Sequence, residues 1–135
     1  MARVVNLTRG AVLAERVEVA DTFLRRLRGL LGRRNWGAWD GLWIEPCAGV
    51  HALGMAFAVD VILVDEGSCA LWVQTLRPWR LGGFHLDARA ALELPAGTLA
   101  RTGTEPGDRL ELRREPAHHG QGDERVDKNG RPLVG

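Results

Sequence analysis

The sequence predicts a small, β-rich α+β domain, because strand-like alternation recurs along the chain while helical periodicity occurs once. Alternating residues at 3–7 and 11–20 predict two strands joined by a Thr-Arg-Gly turn at 8–10. Apolar segments at 56–65 and 70–77 flank an Asp-Glu-Gly turn and predict a β-hairpin. Together these patterns indicate a sheet that supplies most of the core.

The helical pattern covers 21–32, with Asp21 as the expected N-cap and Gly32 as the expected C-cap. Its apolar residues fall on one arc, which predicts a helix packed against the sheet. That arc comprises Phe23, Leu24, Leu27, Leu30 and Leu31. The remaining face carries Arg25, Arg26 and Arg28, and we expect it to be solvated, with peripheral docking on a membrane or partner as the alternative.

The other elements are short and end at recognisable turn residues. In chain order they are a loop at 33–41, a strand at 42–46, an irregular segment at 78–87, a strand at 88–94 before Pro95, a helical turn at 98–102 and a strand at 110–113. From Pro116 the residues are mostly charged, Gly and His, without aromatics. We therefore expect one domain at 1–115 and a disordered tail at 116–135.

Composition limits the function classes. The 135 residues include 18 basic and 17 acidic side chains, for a net charge of +1, which argues against a dedicated nucleic-acid binder. A chain of this length needs neither a disulfide nor a metal to fold. Neither a signal peptide nor a transmembrane segment is predicted, so a cytoplasmic protein is expected. Cys47 and Cys69 are then expected to be reduced thiols rather than a disulfide.

Three blocks stand out as a set: Arg-Gly-Leu-Leu at 28–31, the segment 46–65 with its Val-His, Gly-Met and Asp-Val pairs, and Leu-Glu-Leu-Pro-Ala-Gly at 92–97 followed by Gly107-Asp108. In this order and spacing the three blocks resemble the domain-of-unknown-function 192 family of bacterial and archaeal proteins. The resemblance implies a compact, mostly antiparallel β-sandwich or barrel with one main helix, and it implies no assigned activity. The chain departs from the family pattern by carrying alanine where relatives have Thr, a basic residue and Pro, at Ala52, Ala56 and Ala58.

Asp60 is the strongest single candidate for a functional residue, because it lies in a strand whose two faces are both apolar. A bare carboxylate there costs several kcal/mol, so hydrogen bonds or an ion pair must satisfy it. We expect a structural acceptor for loop backbone amides or for an arginine such as Arg77 or Arg80. The alternative is that Asp60 acts as a general base, or that it binds a ligand at the mouth of a pocket.

Cys47, His51 and Met55 follow one another at spacings that resemble a copper loop. In an extended strand, however, positions four apart are separated by about 13 Å, too far to share an ion. The folded part offers only His85 as a second histidine, and a zinc site on Cys47, His51 and His85 lacks a convincing fourth ligand. We therefore predict neither a metal site nor another cofactor.

Two further residues complete the candidate set. Trp79, beside Arg80 in an irregular segment, is suited to stacking on a sugar or another flat ligand. Glu93 shares a strand face with Arg89, which predicts a solvated surface ion pair.

The leading functional hypothesis is a non-enzymatic module that binds an unknown small molecule or protein partner. Its site would lie near residues 46–60 and 77–85, where polar residues gather without a complete catalytic set. The candidate binding residues are Cys47, His51, Met55, Asp60, Trp79, Arg80 and Glu93. The alternatives are a small enzyme with Asp60 or His51 as general base, and a metal-binding protein that uses Cys47 and His51.

Overall fold

The computed structural model describes residues 2–20, 35–47, 49–51, 56–78, 81–114 and 129. Within them the chain forms nine strands and one short helix: β1 (Ala2–Asn6), β2 (Ala11–Ala20), β3 (Gly41–Ile44), β4 (Gly49–His51), β5 (Val59–Val64), β6 (Ala70–Leu76), β7 (Leu81–Phe84), β8 (Ala90–Pro95), α1 (Thr98–Thr102) and β9 (Leu110–Arg114). The predicted helix at 21–32, and the predicted tail except Asn129, lie outside the described residues. Over the described ranges, no helix has the length and hydropathy needed to cross a membrane.

Seven strands form one curled sheet in the order β6-β5-β8-β3-β2-β1-β9. Neighbours are antiparallel except for β2 and β3, which run parallel. A bridge between Cys69 and Arg109 brings the two edge strands together, and Ala70 N–H donates to the Asp108 carbonyl at 2.8 Å. The sheet is therefore curled into a half-barrel, and among the described residues a single bridge joins its two edges. The expected mostly β fold is confirmed, and the sandwich form implied by the resemblance is not.

Each face of the sheet contributes to a separate hydrophobic cluster. The first cluster includes Val4 and Leu110 from one end of the sheet and Ile62 and Ala70 from the other, so it fills the concave side. Its largest members are fully buried because the curl brings distant strands into contact. The second cluster lies on the opposite face. It comprises Ala20, Leu42, Ile44, Val59, Val61 and Leu76, with Trp36, Cys47, Phe57 and Trp72 packed against it.

The β5–β6 hairpin forms as the sequence predicts. Asp65 Oδ1 accepts the backbone N–H groups of Gly67 and Cys69, both at 2.9 Å, which fixes the turn. All six residues of β5 are buried, since β6 and β8 flank it and both of its faces are covered. This strand, whose two faces are both apolar in the sequence, therefore lies inside the sheet.

The sequence does not predict the two-stranded ribbon formed by β4 and β7, because it indicates no strand at 47–55 and an irregular segment at 78–87. The register pairs Gly49 with Phe84 and His51 with Leu81. β7 contains two glycines among four residues, which weakens its intrinsic strand signal. Tertiary packing compensates, since the backbone at Gly83 lies directly against the Trp72 indole. The ribbon therefore covers the face of the sheet that holds the second cluster.

A buried polar network ties the β1–β2 turn to the segment before β9. The Asn6 side-chain amide donates to Thr104 Oγ1 at 3.0 Å and to Asp108 Oδ2 at 2.9 Å. Asp108 Oδ2 also accepts from Arg9 Nε at 2.7 Å and from Glu105 N–H at 3.1 Å. Burial raises the pKa of Asp108, but the hydrogen bonds from Arg9, Asn6 and Glu105 and the charge of Arg9 outweigh it. The net effect lowers the pKa of this carboxyl.

We predict that Asp108→Asn lowers the free energy of unfolding by about 1–3 kcal/mol near neutral pH, because buried donors lose a charged acceptor. The folded-state pKa lies below the usual value of 3.8, so the contribution of the carboxylate is complete at neutral pH. It declines as the pH falls below that value and through the folded-state pKa. Urea unfolding from about pH 7 to about pH 2.5 should show the two proteins converging at the acid end. A constant difference across that range would contradict this assignment.

We predict that Gly83→Ala destabilises the protein by about 1–3 kcal/mol, because the ribbon must move to relieve overpacking. A Cβ at this position would lie within 2.8 Å of three indole atoms of Trp72. Gly67→Ala is the matched control, since a Cβ there would meet its nearest neighbour at an ordinary 3.5 Å. Thermal unfolding of both variants, and of Gly83→Ala combined with Trp72→Leu, checks this. The smaller side chain should recover part of the loss.

Candidate functional site

Asp60 is fully buried at the start of β5, and its carboxylate accepts three internal hydrogen bonds. The Thr75 hydroxyl on the neighbouring strand donates to Oδ1 at 2.5 Å. The backbone N–H groups of Gly97 and Leu99 donate to Oδ2 at 3.0 and 2.8 Å. Asp60 therefore ties the turn between β8 and α1 to the interior of the sheet. The sequence predicts that Asp60 accepts hydrogen bonds from loop backbone amides or from an arginine. In the structure its donors include two backbone amides.

The chemistry available to Asp60 follows from this burial. A general base must reach a proton on a bound substrate, directly or through one water. The Asp60 side chain has no exposed surface, and both of its oxygens already accept hydrogen bonds. In this arrangement its role is to hold the 95–99 turn in place.

The ribbon brings together parts of the two segments predicted to build a site, 46–60 and 77–85. Pairing of β4 with β7 places 49–51 beside 81–84. Asp60 is not part of that surface. It pairs with Thr75 on the concave side of β5, whereas the ribbon packs on Trp72 and the second cluster across the sheet. The structure thus places Asp60 on the other face of the sheet from the ribbon strands at 49–51 and 81–84.

The end of the ribbon exposes two large apolar side chains. Phe84 is 69% exposed and Leu86 is 86% exposed, the two highest values among the large hydrophobic residues described. They flank His85 in a turn where Ala88 N–H donates to the His85 carbonyl at 3.0 Å. Asp87 N–H donates to His85 Nδ1 at 3.1 Å. Phe84, His85 and Leu86 are called the apolar tip below.

Sequence reasoning missed the apolar tip because 78–87 carries no strand periodicity. The available signal was local, namely two large apolar residues within three positions of a Gly-rich segment. Exposure of such side chains depends on what packs over them, and a periodicity argument does not contain that information.

Cys47 lies between β3 and β4, and His51 is the last residue of β4. Cys47 N–H donates to the Arg89 carbonyl at 2.8 Å, and the residue is partly buried against the second cluster. The His51 backbone lies in β4, while its side chain is outside the described part of the structure. Met55, Trp79 and Arg80 lie outside it as well. Cys47 and Cys69 are not joined by a disulfide in the structure.

The predicted solvated environment of Glu93 is wrong. Glu93 is only 5% exposed, and its strand neighbours are Leu42 on β3 and Val61 on β5. Arg89 instead forms an ion pair with Glu45 at 3.1 Å and lies 3.8 Å from Glu66. The reason is topological. β8 has a partner strand on each side and the second cluster on this face, so no part of the strand centre meets solvent.

The fold and the buried Asp60 define a small half-barrel domain that carries an appended ribbon. The model of the DUF192 family, described as "Uncharacterized ACR", matches residues 4–112. The chain therefore belongs to the DUF192 family, as the resemblance predicted.

Individual relatives agree with this assignment. The chain is 31% identical over 112 residues to a UPF0127 protein of Thermococcus sibiricus, with 79% of this chain and 72% of that protein covered. It is 32% identical over 114 residues to a UPF0127 protein of Pyrococcus furiosus, with coverage of 81% and 97%. The crystal structure of a protein of unknown function from Novosphingobium aromaticivorans has a similar fold, with a TM-score of 0.68, 23% identity and 82% of each chain covered.

We predict a graded response to substitution of Asp60. Asp60→Asn should cost about 1–2 kcal/mol, because the amide oxygen still accepts from the 97–99 turn and its NH₂ group donates to the Thr75 oxygen. Asp60→Ala should cost about 3 kcal/mol or more, since it leaves several buried donors without an acceptor. Urea unfolding followed by Trp fluorescence measures both, with exposed Asp87→Ala as control. Equal effects of Asp60→Ala and Asp87→Ala would refute the anchoring role.

Proposed function

We propose that this protein is a non-enzymatic binding module that docks a protein partner through the apolar tip. The observation that carries the proposal is the exposure of Phe84 and Leu86, two positions apart in the sequence, at the end of an anchored ribbon. Single exposed apolar residues are common on protein surfaces, whereas several large ones in one short segment favour an interaction site. Phe84 and His85 lie within the 77–85 segment that the sequence predicts as part of the site, and Leu86 lies one residue beyond it.

The energetics favour a small, localised contact. Burial of a Phe or Leu side chain on association contributes roughly 1.5–3 kcal/mol each. In protein interfaces a few buried residues generally carry most of the binding free energy, so two anchors are enough for a specific contact. Hydrogen bonds within the His85–Ala88 turn already restrain the backbone. Less conformational entropy is therefore lost when a partner binds.

His85 adds a polar contact at the centre of the tip. Its Nδ1 accepts the Asp87 N–H, so in the neutral imidazole the ring proton resides on Nε2. A partner with two apolar pockets on either side of a hydrogen-bond acceptor would match this arrangement. That description is the chemistry we expect of the occupant.

The alternative functions have less support. A small enzyme with Asp60 as general base conflicts with the full burial and internal hydrogen bonds of that carboxylate. The alternatives that use His51 as a base, a metal on Cys47 and His51, or docking through Arg25, Arg26 and Arg28 depend on side chains outside the described residues.

The test compares three tagged proteins expressed in the native cells: wild type, the double variant Phe84→Gln with Leu86→Gln, and Leu7→Gln. Leu7 is a matched control because it is also an exposed leucine, at 42%, but lies in the β1–β2 turn. We expect quantitative affinity purification to enrich the same partner with wild type and Leu7→Gln. The double variant should reduce that enrichment at least tenfold, since it removes two apolar anchors.

Reconstitution with the purified partner then decides between direct and indirect capture. A direct complex should show the same ranking of the three proteins in titration calorimetry. Equal enrichment by all three proteins, or no partner with any of them, would overturn the proposal. Co-sedimentation of wild type with lipid vesicles in place of a protein would reassign the apolar tip to a membrane surface.

A further inference from the structure

A cleft of about 380 Å³ lies between β2 and the turn that leads from β8 into α1. Its lining includes Leu13 and Pro95 as apolar surface, and Asp40 and Arg101 as charged groups. Small-molecule sites in proteins have volumes of roughly 300–1,000 Å³ and combine apolar walls with a few polar groups. We propose that this cleft binds a small zwitterion, with its anionic group on Arg101 and its cationic group on Asp40.

The cleft exists because β2 is longer than the strand beside it. β3 pairs with β2 only from Val17 to Ala20, so the earlier part of this edge has no strand neighbour among the described residues. β2 also bulges here, since its residues Ala14 and Val17 face Val4 and Ala2 on β1 with one extra residue between them. The open edge and the bulge leave backbone groups available to side chains.

Asp40 is held in place by that bulged backbone. Its Oδ1 accepts the Arg16 N–H at 2.6 Å and its Oδ2 accepts the Glu15 N–H at 3.0 Å. Two bonds from consecutive amides fix both the position and the orientation of the carboxylate. Each oxygen retains capacity for a further hydrogen bond, so Asp40 presents a preoriented negative charge to the cleft.

Arg101 supplies the opposite charge from α1. Its two terminal nitrogens lie 3.4 Å from the Val12 carbonyl, longer than the usual range of about 2.7–3.2 Å. The side chain is exposed, and these long contacts leave most of its N–H donors available. A guanidinium in this state is suited to pair with a carboxylate or phosphate of a ligand.

The two charges line one cleft without joining each other. Across the described ranges, neither Asp40 nor Arg101 forms an ion pair within 4.0 Å. A simple anion would be repelled by Asp40, and a simple cation by Arg101. A molecule that carries both charges satisfies both side chains. The Gly97 and Leu99 amides accommodate no ligand anion, because Asp60 already occupies them.

The test uses linear ω-amino acids of increasing length, from glycine to 6-aminohexanoate, with the matching carboxylic acids and amines as single-charge controls. Binding is measured by ¹H–¹⁵N NMR titration of the full chain up to about 20 mM ligand. We expect at least one amino acid to bind about fivefold more tightly than either of its single-charge analogues. The shifted amide signals should map to Leu13 and to 96–101.

Arg101→Gln is the decisive variant, because the exposed side chain supports little of the fold. It should weaken binding of the preferred amino acid about fivefold, and Arg114→Gln, an exposed arginine on β9, should leave it unchanged. Asp40→Asn should weaken binding too, with its amide spectrum as a check on folding. The proposal fails if no amino acid binds saturably, if the single-charge analogues bind equally well, or if Arg101→Gln has no effect.

Discussion

The buried carboxylate of Asp60 is the constraint on which the rest of the structure depends. A charged group enclosed by β6, β8 and the first cluster requires hydrogen bonds from within the protein. Thr75 supplies one, and the turn that begins α1 supplies two. Because α1 leads directly to Thr104 and Asp108, the same anchor positions the segment that joins Asn6 and closes the half-barrel. The buried carboxylates of Asp60 and Asp108 thus link the centre of the sheet to the place where its two edge strands meet.

The two faces of the sheet carry different surfaces. On the concave side, α1 and its turn are held by Asp60, and the charged cleft with Asp40 and Arg101 lies at their edge. On the opposite face, the ribbon is seated on Trp72 and ends in the apolar tip. The cleft depends on charge and the apolar tip on apolar area, so different ligands are expected at each. Rigid packing of the sheet between them provides a common scaffold for both.

Strands with clear alternation or turn chemistry were predictable, and so was the buried role of Asp60. Alternation of apolar residues identified β1 and β2, and the two apolar segments around the Asp65 turn identified the β5–β6 hairpin. Glu93 was misplaced because the same alternation describes a solvated face and a face covered by other elements. β7 was missed because its Gly-Gly pair lowers strand propensity, while contact with Trp72 favours the extended backbone.

The sequence by itself determined the strands other than β4 and β7, the turn at Asp65, the short helix after Pro95 and the need to satisfy a carboxylate at Asp60. Each follows from local preference or from the cost of burying charge, both of which act within a few residues. Only the tertiary structure decided which donors reach Asp60, which face buries Glu93, where the ribbon packs and which charges line the cleft. Those outcomes join residues from distant parts of the chain, and they are set by the curl and the register of the sheet.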